Sequence, residues 1–309
     1  MKKKALLLGA GAVALAYGGV LEYFFDFAFK RDDQFYDDPL DFSYQGEELA
    51  EKKKERAELE KWLAESKTTN GYIKSFDGLD LFGVIIENNA TKNYLIIVHG
   101  MRSDHMMMLK SAYEFSNLGY NILLIDQRAN GKSQGEHMTY GFKESIDIAQ
   151  WIEMLDNRIA DCRIALYGVS MGAASVMLSL RNKLPQSVKC IVEDCGYTSA
   201  YDAFSHILKK DFKLPSWPLL PSVLALAKRR IGVSIAEAAP IDALKDNEIP
   251  ILFVHGTADD FVPFEMAKKL YHANKGIKKF YPVEGKGHSV ASDDPDYYQN
   301  INSFISDYL

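Results

Sequence analysis

The sequence is short of cysteine, of positive charge and of any repeating pattern. Three cysteines (Cys162, Cys190, Cys195) among 309 residues are too few and too odd in number for a disulfide framework. They form no C-x-x-C pair and no H-E-x-x-H run is present, so no metal signature appears. With 36 Lys+Arg against 42 Asp+Glu, the formal net charge is -6. That excludes the phosphate-neutralising surface on which nucleic-acid binding rests. No internal repeat or low-complexity tract interrupts the chain. What is there is ordinary for a globular enzyme: 47% hydrophobic and 25% charged residues, enough for one large α/β domain or two small ones.

The front end is not ordinary. Met1-Lys2-Lys3-Lys4 precedes an apolar run over residues 5–21, followed by Glu22 and a Phe- and Tyr-rich patch closed by Lys30-Arg31. A run of this length sits at the lower limit for spanning hydrocarbon, with Tyr23, Phe24 and Phe25 suited to headgroup level. Residues 1–30 therefore read as an N-terminal membrane anchor. The alternatives are a signal peptide cleaved near Ala12-Val13-Ala14, giving a secreted protein, and a buried core helix. The lysines before the run place the N-terminus in the cytoplasm and predict a single-pass cell-membrane protein with its main domain extracytoplasmic. Export would permit a disulfide between Cys162 and Cys190, which open two expected strands, but separate buried thiols are the preferred reading.

Residues 31–70 read as a polar linker containing an exposed amphipathic helix, with Leu49, Leu59, Trp62 and Leu63 on its apolar side. A charge run of this kind is usually a solvated face, and no chemistry is assigned to it. From residue 71 onward strand and helix patterns alternate. Residues 72–76 and 79–86 flank Asp77-Gly78 as a hairpin. Strands are expected at 94–98, 121–125, 163–167, 190–194, 251–254 and 278–283. Helices are expected at 106–118, 142–155, 171–180, 264–273 and 297–308. Runs such as Leu95-Ile96-Ile97-Val98 and Ile122-Leu123-Leu124-Ile125 lack alternation. Strands of that kind are covered on both faces, so the fold class is α/β with a mostly parallel sheet flanked by helices. Residues 197–240 break the rhythm and read as a helical cap insertion.

The chemistry begins at Gly168-Val169-Ser170-Met171-Gly172, between an expected strand and an expected helix. G-x-S-x-G in that setting is a nucleophile elbow. The turn forces the serine into a strained backbone, and flanking glycines remove side chains that would clash. The Met171 N–H opens the helix and faces a developing oxyanion. The loop after strand 94–98, His99-Gly100-Met101-Arg102, supplies the other donor, with Met101 N–H the candidate and Arg102 the near neighbour. His99 itself reads as structural. The base is His288 in Gly285-Lys286-Gly287-His288-Ser289, after the last strand. A neutral imidazole takes the serine's proton, and a carboxylate orients the ring and stabilises its charged form. Asp259, Asp260 and, from the neighbouring strand, Asp194 are all positioned to be that acid.

By these motifs the chain resembles the α/β-hydrolase superfamily over about residues 71–309. Asp126-Gln127-Arg128-Ala129-Asn130-Gly131-Lys132-Ser133 is similar to the family's D-x-R-G-x-G-x-S stretch, with Ala129 in place of a glycine. His255-Gly256, Asp259 and Val262-Pro263 resemble its H-G-x-x-D-x-x-V-P acid loop, and this resemblance selects Asp259. Val192-Glu193-Asp194-Cys195-Gly196-Tyr197 is similar to the strand leading into the cap in membrane-anchored bacterial members. The resemblance implies an eight-stranded sheet with a cap between the sixth and seventh strands. It also implies a serine hydrolase cleaving a small acyl ester or thioester through Ser170, His288 and Asp259, with no metal and no cofactor. Serine at the elbow excludes the epoxide-hydrolase and dehalogenase branches, which resemble this fold but use aspartate there. Ala173 after Gly172 departs from prolyl-oligopeptidase-like peptidases. A peptidase or acyltransferase on the same three residues is the competing enzyme, and an inactive surface-binding protein the competing non-enzyme. Trp217 and the leucines of the cap read either as the wall of an apolar acyl pocket or as packing of the insertion on the sheet.

Overall fold

A computed structural model describes residues 2–32 and 46–309, with side chains described from residue 16. Helices α1 (Lys2–Phe29) and α2 (Gly46–Glu65) precede the sheet. Strands β1 (Thr68–Lys74) and β2 (Asp80–Ile86) form the expected hairpin, and β3 (Asn93–Val98) leads through a short 3-10 turn to α3 (Leu109–Asn117). Then follow β4 (Asn121–Ile125), α4 (Phe142–Arg158), β5 (Arg163–Val169), α5 (Met171–Ser179) and β6 (Val188–Asp194). The cap interval holds α6 (Ala200–Lys210) and α7 (Leu219–Ile231), followed by the short α8 (Pro240–Ala243). Finally β7 (Ile251–Gly256), α9 (Phe264–Ala273), β8 (Lys278–Val283) and α10 (Tyr297–Ile305) close the domain.

The eight strands form one sheet in the order β1-β2-β4-β3-β5-β6-β7-β8. The β1–β2 and β2–β4 pairs are antiparallel and every later pair is parallel. This is the fold of the α/β hydrolases. The non-alternating strands are buried on both faces, as their sequence requires. Leu95, Ile97, Leu124 and Tyr167 face α3 and α10, through Phe115 and Phe304. Ile96, Val98, Leu123 and Leu166 face the other layer, through Trp151, Leu155 and Val176. The three cysteines are free and buried, so Cys162 and Cys190 are separate thiols.

Strand β1 starts at Thr68, inside the stretch read as linker, and pairs there with Ile86. It is an edge strand exposed along nearly its whole length, so no alternation of polarity marks it. A larger correction concerns α2. It is not merely a solvated face: Leu59, Trp62 and Leu63 form one helical stripe packed against the main core, with the Trp62 ring 5.3 Å from that of Tyr113 on α3. The sequence marks this apolar side, but not the surface that it meets.

The described end of α1 lies against the cap. Phe25 and Phe29 are buried with Leu219, Leu220 and Val223 of α7, and each buried phenylalanine contributes about 1.5–3 kcal/mol. Arg230 of α7 meets Glu22 at 2.6 Å, and Arg102 donates to Phe27 O at 2.5 Å. The side chains of residues 1–15, on which most of the expected anchor falls, lie outside the described residues, as does the linker over 33–45. Among the described residues no helix is long and apolar enough to cross a membrane.

Candidate active site

Strand order makes the site. The chain leaves β3 toward β4 on one side and returns to β5 on the other, so the loops after β3 and β5 diverge and leave a crevice between them. Ser170 follows β5 and His99-Gly100-Met101 follows β3, on either side of that crevice. Ser170 has φ +56° and ψ −116°, a strained conformation that its surroundings must impose. Its N–H donates to Asp194 O at 2.8 Å, and its carbonyl accepts from Ala174 N–H at 3.0 Å. The glycines are there for space. A Cβ on Gly168 would stand 2.3 Å from Gly172 O, and one on Gly172 would stand 2.1 Å from Val98 O.

Loops after β7 and β8 bring the other two groups to the serine. His288 Nε2 is 2.9 Å from Ser170 Oγ, and His288 Nδ1 is 2.7 Å from Asp259 Oδ2. Asp259 Oδ1 accepts from the N–H groups of Phe261 and Val262 at 3.0 and 2.9 Å. Burial alone would raise the Asp259 carboxyl, but hydrogen bonds from His255 and His288 outweigh it and hold the group well below the usual carboxylate range. Asp259 is thus an acceptor at neutral pH.

The other candidate acids point elsewhere. Asp260 is exposed and pairs with Lys210 of α6 at 2.7 Å, so it ties the cap to the acid loop. Asp194 accepts from Tyr297 OH at 2.5 Å, and burial raises its pKa. His99 is structural: its Nε2 accepts from Gln127 N–H at 2.9 Å, which leaves Nδ1–H to donate to Gly100 O at 2.6 Å. The D-x-R stretch also holds framework. Arg128 grips Asp147 through two bonds of 2.6 Å. Gly131 admits the Asp126 carboxylate, which a Cβ there would meet at 2.3 Å. Ala129, in place of the family's glycine, still adopts φ +58°.

Met171 begins α5, so its N–H is a first-turn donor with no partner inside the helix. Met101 lies in the β3 loop, one residue beyond Gly100, which approaches Ser170 so closely that a Cβ would meet the serine Cβ at 3.4 Å. The Met101 sulfur accepts from Tyr140 OH at 3.2 Å. Among the described residues, Cys195, Asp259 and His288 set one donor atom each within 4.8 Å of one another. Burial holds the Cys195 thiol well above its usual pKa, which makes it a poor metal ligand.

Ser170 and His288 open into a cavity of about 420 Å³. Its walls are Met101, Met106, Met107 and Leu109, its floor includes Tyr167, Asp194 and Tyr298, and Lys52, Glu55, Arg56 and Leu59 of α2 border it. The cap is not its wall. Trp217 is 76% exposed, and the cap leucines pack on α1. The α2 wall escaped the sequence because its polar residues carry no motif. His255 does carry one, in H-G-x-x-D, whose sequence marks the acid but gives the histidine no role of its own. It is fully buried, with Nε2 3.2 Å from Asp259 Oδ2.

Comparison with known proteins agrees with this fold. A family model described as serine aminopeptidase, S33 (Hydrolase_4) matches residues 89–201. The uncharacterized protein YqkD of Bacillus subtilis is 31% identical over 220 residues, covering 71% of this chain and 72% of that protein. A lysophosphatidylserine lipase of Danio rerio is 26% identical over 213 residues, covering 67% of this chain and 51% of the lipase. Among solved structures, an esterase of Pyrococcus furiosus superposes with a TM-score of 0.65 at 22% identity, over 79% of this chain and 92% of the esterase.

Proposed function

The chain belongs to the α/β-hydrolase superfamily, in one family with YqkD of Bacillus subtilis, and on that footing we propose that it is a serine hydrolase cleaving an acyl ester or thioester. The observation that carries this reading is the continuous chain Ser170–His288–Asp259, with links of 2.9 and 2.7 Å, at the opening of a cavity large enough for a substrate. Ser170 Oγ attacks the carbonyl carbon as its proton passes to His288 Nε2. Asp259 steadies the imidazolium through Nδ1–H. Charge on the former carbonyl oxygen is received by the N–H groups of Met101 and Met171, each worth about 2.7–4 kcal/mol of barrier. His288 then protonates the leaving alcohol or thiol, and Ser170 keeps the acyl group. Water, deprotonated by His288, releases the acid and restores the serine.

The methionine walls and Leu59 support an apolar acyl chain as the substrate's bulk. The Danio rerio relative is named as a lipase of lysophosphatidylserine. The description of the matching family, a serine aminopeptidase, favours amide cleavage as the second reading. Chromogenic esters of increasing acyl length, run beside an aminoacyl amide, separate the two: ester turnover rising with chain length is expected. Turnover of the amide alone would overturn the ester assignment. Fluorophosphonate is expected to form one adduct, at Ser170. A folded protein left unlabelled would favour the surface-binding alternative.

The apolar run over residues 5–21 and the lysines before it support an anchored protein with its catalytic domain extracytoplasmic. The expected result of fractionation is protein in the membrane pellet, digested by protease added to intact spheroplasts. Protein recovered in the cytosol and protected from protease would overturn this topology.

A further inference from the structure

Asp259 answers to two imidazoles. His255, at the end of β7, is fully buried, with Nε2 2.8 Å from Val262 O and 3.2 Å from Asp259 Oδ2. A carbonyl oxygen only accepts, so Nε2 carries the hydrogen. That one N–H is shared between a fixed backbone carbonyl and the carboxylate that serves His288. On the other side of the ring, Nδ1 is buried without a hydrogen-bond partner among the described residues, and so is Glu193 Oε1. Glu193 lies on β6 opposite Phe253 of β7, and its Oε2 accepts from Gly196 N–H at 3.0 Å. Burial pushes the Glu193 carboxyl up to about 8, so at neutral pH it keeps its proton. Burial acts to lower His255, but the hydrogen bond to Asp259 outweighs it and raises it.

We propose that His255 is a positioning residue: its Nε2–H holds the Asp259 carboxylate toward His288 and draws charge off it, with Glu193 the group that faces the ring from β6. The inference rests on the serine-hydrolase reading above. The titratable groups around the two imidazoles are Glu193 and Asp194 at the end of β6, Cys195 just beyond it, and Asp259. From α9 comes the Phe264 ring, 5.9 Å from His255, and from the acid loop the Phe261 ring, 4.9 Å from His288. Of these groups His255 is the one that donates a side-chain hydrogen to Asp259 besides His288 itself. A carboxylate that shares its charge with a second donor stabilises the His288 imidazolium less. Without that donor the carboxylate is more basic and the ion pair formed during catalysis is stronger.

The pH profile of kcat/KM on a soluble ester tests this in the full-length protein. His255→Leu is expected to move the acid limb upward by about half to one pH unit and to lower kcat more than it changes KM. His255→Gln, whose amide N–H can replace Nε2–H, is expected to return the limb toward wild type. A purely packing role for the ring would lower the melting temperature and leave the limb where it was. An unshifted limb in His255→Leu, or a shift that His255→Gln does not recover, overturns the proposal. Should the leucine variant not fold, ¹⁵N-histidine NMR of the wild-type protein decides, since Nε2 of His255 must carry hydrogen throughout the folded pH range. An unprotonated Nε2 sinks the idea. This is distinct from failure of the hydrolase reading, which Ser170→Ala reports without reference to the tautomer of His255.

Discussion

Ser170→Ala is expected to lower kcat about a millionfold on any ester that the protein turns over, while the fold stays intact. The size follows from what the hydroxyl does. Without Oγ no acyl-enzyme forms, and His288 is left with only water to activate. What remains is binding and the oxyanion donors, about a thousandfold over the uncatalysed rate. The fold is indifferent because the elbow is held by its backbone, through Ser170 N–H to Asp194 O and Ala174 N–H to Ser170 O. Alanine keeps the strained φ of +56°. Glycine would release strain worth about 1–3 kcal/mol and lose about 0.5–1 kcal/mol to its freer unfolded chain. Ser170→Gly should therefore melt above Ser170→Ala, both being inactive. His288→Ala is expected to match Ser170→Ala in kcat, and the double variant to be no worse than either, because the two act as a unit. A double variant that multiplies the two losses, or a Ser170→Ala protein that retains turnover, would mean that these residues are not one machine.

The elbow was legible because its geometry leaves a residue type behind at each position. Gly168 and Gly172 are there to avoid backbone oxygens, and a sequence records that as glycine. The central strands were legible for a related reason: Leu95–Val98 and Ile122–Ile125 alternate between two buried faces, so no polar residue fits anywhere along them. The acid was harder. Asp259 and Asp260 differ only in which way one turn points, and the turn is set by Phe261 and Val262 N–H groups closing on Asp259 Oδ1. Only the family's motif distinguished them in the sequence. The placing of α2 beside the cavity and the start of edge strand β1 at Thr68 left almost no trace. Their side chains are mostly wet, and what places them is the shape of the surface they lie on rather than their own pattern. The cap was open to two readings for the opposite reason. Its leucines are apolar because they cover α1, and the cavity draws its apolar surface from the β3–α3 segment instead.

Gly172→Ala is expected to be the most damaging single methyl group in the domain. Gly172 sits in the first turn of α5, where the helix starts against the end of β3. The added Cβ would meet Val98 O at 2.1 Å, Val98 C at 2.7 Å and His99 O at 2.6 Å, all of them backbone. No rotamer relieves such a contact, so strand and helix must part. Forcing them apart should cost about 3 kcal/mol or more, the upper end of overpacking, and urea unfolding would read it as an earlier midpoint at unchanged m-value. Activity should fall further than stability requires. The displaced β3 end carries Gly100 and Met101, so the Met101 N–H moves relative to Met171 N–H. Losing the alignment of one oxyanion donor lowers kcat by about 10²–10³. Gly71→Ala is the control, since a Cβ there meets nothing within 4 Å and should leave stability and kcat near wild type. If Gly172→Ala unfolded with Gly71→Ala and turned over ester at the same rate, the close approach of α5 to β3 could not be what holds the oxyanion donors in register.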